Sequence, residues 1–126
     1  MLKVNHHIGW LVLNDNGIGN FGVKTIADSL VDNKGVLHLV LSDNQIGDDG
    51  AVSLGEMLTK NSTLKSLFLQ GNPIGHRGIK GLISGINENE SLEVLDVRDI
   101  DSIDRHLIDE LKALAKQKGF RLKIDG

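Results

Sequence analysis

The chain predicts an α/β solenoid of about four repeats, a short curved segment with parallel strands on one surface and helices on the other. Three observations carry this. Residues 36–63 find themselves again when slid by 28 in either direction: Val36, Leu39, Leu41 and Asn44 fall on Ile8, Leu11, Leu13 and Asn16 upstream, and on Leu64, Leu67, Leu69 and Asn72 downstream. Self-similarity at such a period marks stacked supersecondary units. Within each copy, apolar residues first alternate with a period of two and then recur at helical spacing. Strands joined through helices have to run parallel, and the right-handed crossover rule puts the helices on one side.

Each element follows from its residues. Leu11 and Leu13, Leu39 and Leu41, and Leu67 and Leu69 form the inward face of a strand in each repeat. Asn16, Asn44 and Asn72 close these strands, and a side chain with two donors and an acceptor suits a buried ladder bonded to the loop backbones of adjacent repeats. An Ile-Gly pair follows at 18–19, 46–47 and 74–75, with a second glycine at 22, 50 and 78. That glycine is expected to let the helix settle against the strand layer. Helical sets then appear at i, i+3, i+4 and i+7: Val23, Ile26, Ala27 and Leu30; Ala51, Leu54, Gly55 and Leu58; Ile79, Leu82, Ile83 and Ile86. Asp48 and Asp49 suit a helix N-terminus.

Repeat boundaries are expected at 8–35, 36–63 and 64–91, within one domain of residues 1–126. Residues 1–7 read as the end of a truncated repeat, because Leu2 and Asn5 align with Leu30 and Asn33, Leu58 and Asn61, and Ile86 and Asn89. Residues 92–126 read as a C-terminal capping repeat. There Ile100 replaces the ladder asparagine, Glu110 replaces a core leucine, and residues 120–124 form a closing strand after a helix stop at Gly119.

Composition narrows the function classes. Fourteen Lys and Arg against 17 Asp and Glu give a mixed, slightly negative chain with no basic footprint for nucleic acid. With no cysteine, disulfides and thiolate metal sites are excluded. No apolar run approaches 18 residues and the N-terminus lacks a signal peptide's apolar centre, so we expect a cytoplasmic protein without a membrane partner.

The pattern L-x-x-L-x-L-x-x-N-x-I-G, filled out to 28 residues by a helix, resembles the ribonuclease-inhibitor-like subfamily of leucine-rich repeat proteins. The resemblance covers almost the whole chain. It implies a horseshoe segment that binds a protein partner through its concave strand face and the loops after the strands. The chain lacks the alternating cysteines of ribonuclease inhibitor itself, so ribonuclease inhibition is not implied.

On strands whose leucines point inward, the intervening residues face the concave surface. They form two rows: Trp10, His38, Ser66 and Val94, then Val12, Val40, Phe68 and Asp96. Over the first three repeats the rows are largely apolar and include the only tryptophan. Such clusters mark interaction surfaces, although cross-strand packing alone also accommodates them. Gln70 and Arg98, with Asn14, Asp15, Ser42, Asp43 and Asp99, would supply a polar rim.

Other readings are weaker. Gly17, Gly19 and Gly22 spell G-x-G-x-x-G between a strand and a helix, with Asp43 placed as a ribose-binding acid would be; alone, that is a dinucleotide fingerprint. Gly19 and Gly22 recur with the repeat, however, and Gly17 aligns with Gln45 and Pro73. His6, His7 and His38 lack a carboxylate or thiolate partner, so no metal site is expected. Asp99, Asp101 and Asp104 read as caps of the last helix. No nucleophile elbow or triad order appears, and we expect neither catalysis nor a cofactor. A purely structural spacer is the remaining alternative.

One further expectation concerns the N-terminal edge. Ile8, Leu11, Leu13, Ile26 and Leu30 would lie exposed there with only a remnant to cover them. We therefore expect further repeats, another subunit or a second copy of the chain to cover that edge, the last giving a homodimer.

Overall fold

The computed structural model describes residues 9–100 and 103–125. Strands and helices alternate: β1 (Trp10–Val12), α1 (Gly19–Leu30), β2 (His38–Val40), α2 (Asp48–Lys60), β3 (Ser66–Phe68), α3 (His76–Asn87), β4 (Val94–Asp96), α4 (Arg105–Lys118) and β5 (Arg121–Lys123). The strands form one sheet in chain order, and every pair is parallel. This is the predicted α/β solenoid.

Each strand is only three residues long, yet backbone pairing runs on past it. Leu13 donates to Val40 O at 2.9 Å, Leu41 to Phe68 O at 2.9 Å and Leu69 to Asp96 O at 2.8 Å; beyond them Asp15 donates to Ser42 O and Asp43 to Gln70 O. The alternating leucines fill the core. Leu39, Leu67 and Leu95 have no exposed surface, each stabilising the fold by about 2 kcal/mol or more.

The asparagine ladder closes the strands as its spacing predicts. Asn44 Oδ1 accepts from the amides of Asn16 (2.8 Å) and Ile18 (3.3 Å) in the preceding repeat, while Nδ2 donates to Leu13 O at 2.8 Å. Asn72 repeats this with the amides of Asn44 (2.8 Å) and Ile46 (3.1 Å) and with Leu41 O (3.0 Å). Asn16 departs from the expected burial: it is exposed, and its Nδ2 turns to Leu13 O and Asn14 O in its own loop. It stands at the N-terminal end of the described ladder, where no preceding described strand offers it a carbonyl.

A second ladder joins the far ends of the helices. Asn61 Nδ2 donates to Leu30 O at 2.7 Å and Asn89 Nδ2 to Leu58 O at 3.0 Å, satisfying carbonyls that the end of the preceding helix leaves without an intrahelical partner. Their Oδ1 atoms accept from Thr63 and Leu64, and from Ser91 and Leu92. The signal was in the sequence as the recurrence of Asn33, Asn61 and Asn89.

The second glycine of each loop lies against the isoleucine of its own Ile-Gly pair: a Cβ at Gly22, Gly50 or Gly78 would come within 2.5, 2.7 and 2.6 Å of Ile18, Ile46 and Ile74 Cγ2. Gly50 and Gly78 also face the preceding helix. A Cβ at Gly50 would lie 2.8 Å from Asn20 Oδ1 and 2.6 Å from Val23 Cγ1; one at Gly78 would lie 2.8 Å from Asp48 Oδ1. These oxygens are hydrogen-bond acceptors. Asn20 Oδ1 receives the amides of Gly47 (2.8 Å) and Gly50 (2.9 Å), and Asp48 Oδ1 those of Gly75 (2.7 Å) and Gly78 (2.8 Å). Asp48 thus sits in the first turn of α2 but caps α3, the helix after its own.

The last helix and strand carry several of the local features predicted for them. Asp104 caps α4 by accepting from the His106 amide at 3.0 Å. Gly119 ends it in the left-handed conformation (φ 81), Phe120 is buried, and β5 follows. Glu110 is exposed where the earlier repeats bury Leu54 and Leu82. Asp99 caps no helix: its backbone is left-handed (φ 53) and its amide donates to Asp125 Oδ2 at 2.7 Å. Asp101 lies outside the described residues.

Candidate protein-interaction face

Sheet register lays the outward residues out as a grid. Trp10, His38, Ser66 and Val94 are successive register partners, as are Val12, Val40, Phe68 and Asp96. β5 extends both rows, Arg121 beside Val94 and Lys123 beside Asp96. Sequence reasoning missed these two because the last offset is 27, not 28 (Val94 to Arg121). Extending the period by 28 puts Leu122 in the row and turns the strand over.

Aromatic rings gather on the first three strands. The Trp10 indole stacks on the His38 imidazole with centroids 4.2 Å apart and planes at 27°, and lies 6.2 Å from the Phe68 ring at 15°. Offset stacking of this kind favours aromatic pairs beyond the area they bury. Since Phe68 is two strands away from Trp10, the indole lies across β2. Trp10 and Val12 remain 54% exposed, while His38, Val40, Phe68 and Val94 are half-buried.

Two residues of the predicted face do not present themselves to solvent. Ser66 is 4% exposed, because His38 leans over from β2 and its Nδ1 shares a hydrogen bond of 2.8 Å with Ser66 Oγ. Asp96 is 1% exposed, flanked by Phe68 and Lys123 and covered by the Arg98 guanidinium, which grips it through Nε (3.0 Å) and Nη2 (2.7 Å). That bond first, and the carboxylate's charge second, raise the Arg98 pKa above its ordinary value. A buried carboxylate held by a two-pronged guanidinium is a structural pair.

The rim is also only partly open. Asn14, Asp15, Asp43, Arg98 and Asp99 are exposed and Gln70 is half-buried, but Ser42 is 6% exposed. Ser42 Oγ and Gln70 Oε1 are buried without a hydrogen-bond partner among the described residues.

The expected N-terminal edge is smaller than the spacing suggests. Ile26 is 7% and Leu30 1% exposed, and both belong to the buried core cluster. Leu11 and Leu13 are half-buried, and Ile8 lies outside the described residues, as do His6 and His7. A large apolar residue that sequence reasoning overlooked is Phe21 on α1, 86% exposed. Its aligned positions carry Asp49 and Arg77, which pair with one another across α2 and α3.

The glycine-rich loop is built as a repeat loop. Gly17 (φ 60) and Gln45 (φ 59) share one left-handed conformation. The Gly19 amide donates to Asn44 O at 2.8 Å and the Ile18 amide reaches Asn44 Oδ1. Both amides are already engaged by the next repeat. Among the described residues no helix is long and apolar enough to cross a membrane.

Comparison with known proteins agrees with this architecture. The leucine-rich repeat family is matched at residues 33–55 and 60–82. No curated protein matches the chain. Among solved structures, leiomodin-1 actin-binding site 2 is similar with a TM-score of 0.85 and 23% identity, over 94% of this chain and 70% of that one. The C-terminal domain of tropomodulin from Caenorhabditis elegans is similar with a TM-score of 0.85 and 12% identity, over 97% and 76%. The chain is an α/β leucine-rich repeat solenoid of about four repeats.

Proposed function

We propose that this chain is a protein-binding module, cytoplasmic and of the ribonuclease-inhibitor-like subfamily, that receives its partner on the concave strand face. The observation that carries the reading is the stacked trio Trp10, His38 and Phe68, with Trp10 half exposed beside Val12. A rigid aromatic platform of this kind is a frequent binding hot spot. The similarity to a segment of leiomodin-1 described as an actin-binding site supports a protein partner and makes actin one candidate.

The test is selection of displayed random peptides on the full chain, followed by titration of the winners. Since Trp10 is the only tryptophan, its fluorescence reports occupancy of the face without a label. Winners should perturb it, and calorimetry should show their binding lost in Trp10→Ala/Phe68→Ala. Winners that bind that variant unchanged would overturn the assignment. Dinucleotide binding lost in Gly19→Val would favour the nucleotide reading instead. Dimerisation through the outer edge of β1, where Trp10 and Val12 are exposed, is a separate proposal; a monomer by sedimentation at high concentration defeats it.

A further inference from the structure

Beside the aromatic platform, the loops carry exposed carboxylates at one recurring position. Positions 15, 43, 71 and 99 occupy the same place in successive loops, and all are left-handed, with φ of 58, 57, 77 and 53. Asparagine suits that conformation as well as aspartate, and the chain uses asparagine one position later in each of the first three loops. Three of the four residues are nevertheless aspartate. The fourth is Gly71, over which the Asp43 carboxylate lies so closely that a Cβ would collide with it.

Asp15, Asp43 and Asp99 are exposed. Asp15 and Asp43 enter no ion pair among the described residues. Asp99 stands with Asp125 near Arg98, but that guanidinium is already held by the buried Asp96. The rim bordering the apolar platform is therefore negative. Its carboxylates are held in line by the loop amides, which pair Asp15 with Ser42 O and Asp43 with Gln70 O. Arg121 and Lys123 lie on β5, nearer the Asp99 loop, where they would repel a partner's cation and favour its placement over Asp15 and Asp43 in the loops after β1 and β2.

We infer that platform and rim form one docking surface for a protein segment carrying lysine or arginine a few residues from an apolar anchor. This rests on the proposed interaction face and adds the partner's chemistry. Val40 and Asp43 are three residues apart along the chain and separated by a turn, so the partner's anchor and cation need a separation below the roughly 10 Å of an extended stretch of that length.

The test uses the peptides selected on the full chain and the variant Asp15→Asn/Asp43→Asn/Asp99→Asn, which removes the charge while keeping residues that tolerate the left-handed backbone. Winners are expected to be enriched in lysine or arginine near apolar residues. They should bind the variant about tenfold more weakly or worse, and lose affinity as salt is raised. Winners enriched in aspartate or glutamate, or with no charge bias and equal affinity for the variant, overturn the inference. If those same winners still lose binding in Trp10→Ala/Phe68→Ala, the interaction face stands and only the partner's charge is wrong. If they ignore both variants, both proposals fall.

Discussion

Asp48 Oδ1 accepts the amide of Gly78, thirty residues further along the chain, at 2.8 Å. The same oxygen takes the Gly75 amide at 2.7 Å, so one carboxylate on α2 caps the start of α3. Removing it in Asp48→Ala leaves two helix-start amides without their acceptor and should cost about 1–2 kcal/mol. Asp48→Asn should stay within about 0.5 kcal/mol, because Asn20 performs the same role one repeat earlier. Urea unfolding midpoints at unchanged slope check both.

Helices α2 and α3 touch backbone to backbone. A Cβ at Gly85 would strike the carbonyl and Cα of Gly55, and one at Gly55 would strike the Gly81 carbonyl. Gly85→Ala gains up to about 1 kcal/mol of helix propensity. Because the obstacles are main-chain atoms that cannot rotate away, overpacking should win and leave a net loss of about 2 kcal/mol. Ser84→Ala, exposed on the same helix, should stay within about 0.5 kcal/mol. Thermal melts of the two variants decide the point; a stabilised Gly85→Ala would show that the helices can move apart.

Along the asparagine ladder the cost of truncation should depend on position. Asn72 is 2% exposed and bonds two amides and two carbonyls, so Asn72→Ala should cost about 3 kcal/mol or more. Asn16 is exposed, and Asn16→Ala should cost less than about 1 kcal/mol. In a solenoid each repeat contacts only its neighbours. Hydrogen exchange in Asn72→Ala should therefore rise first at the Asn44 and Ile46 amides, which lose their acceptor.

Neighbours on β1 and β2 should separate surface from core. Trp10 is 54% exposed and Leu39 has no exposed surface. Trp10→Ala is expected to change stability by less than about 1 kcal/mol, whereas Leu39→Ala should cost about 2–5 kcal/mol. A comparable loss from both would mean that the aromatic platform belongs to the core and is not a binding surface.

Much of this molecule is local, and local features were legible. The 28-residue period, the inward leucines and the helical sets with Val23, Leu54 and Ile79 fixed the strand-loop-helix unit, because alternation and helical spacing are properties of the chain itself. The same holds for the Asp104 cap, the Gly119 stop and the closing strand. The unit repeats, so its stacking partner is always another copy of itself, and the architecture follows from one repeat.

What tertiary structure decided lies in the spaces between repeats. Sequence placed Asp48 at a helix start but could not say that it serves the next helix, since the acceptor and the Gly75 and Gly78 amides meet only when two units stack. It placed Ser66 and Asp96 on the outward face. Their burial depends on His38 leaning from one strand and on Arg98 folding back, choices made by side-chain rotamers and not by periodicity. It put Ile26 and Leu30 at an exposed edge, whereas both are buried in the core cluster. The last offset of 27 decided which residues of β5 share the face. A single residue lost from a period of two turns every later side chain over, and only the paired backbone records where that loss occurs.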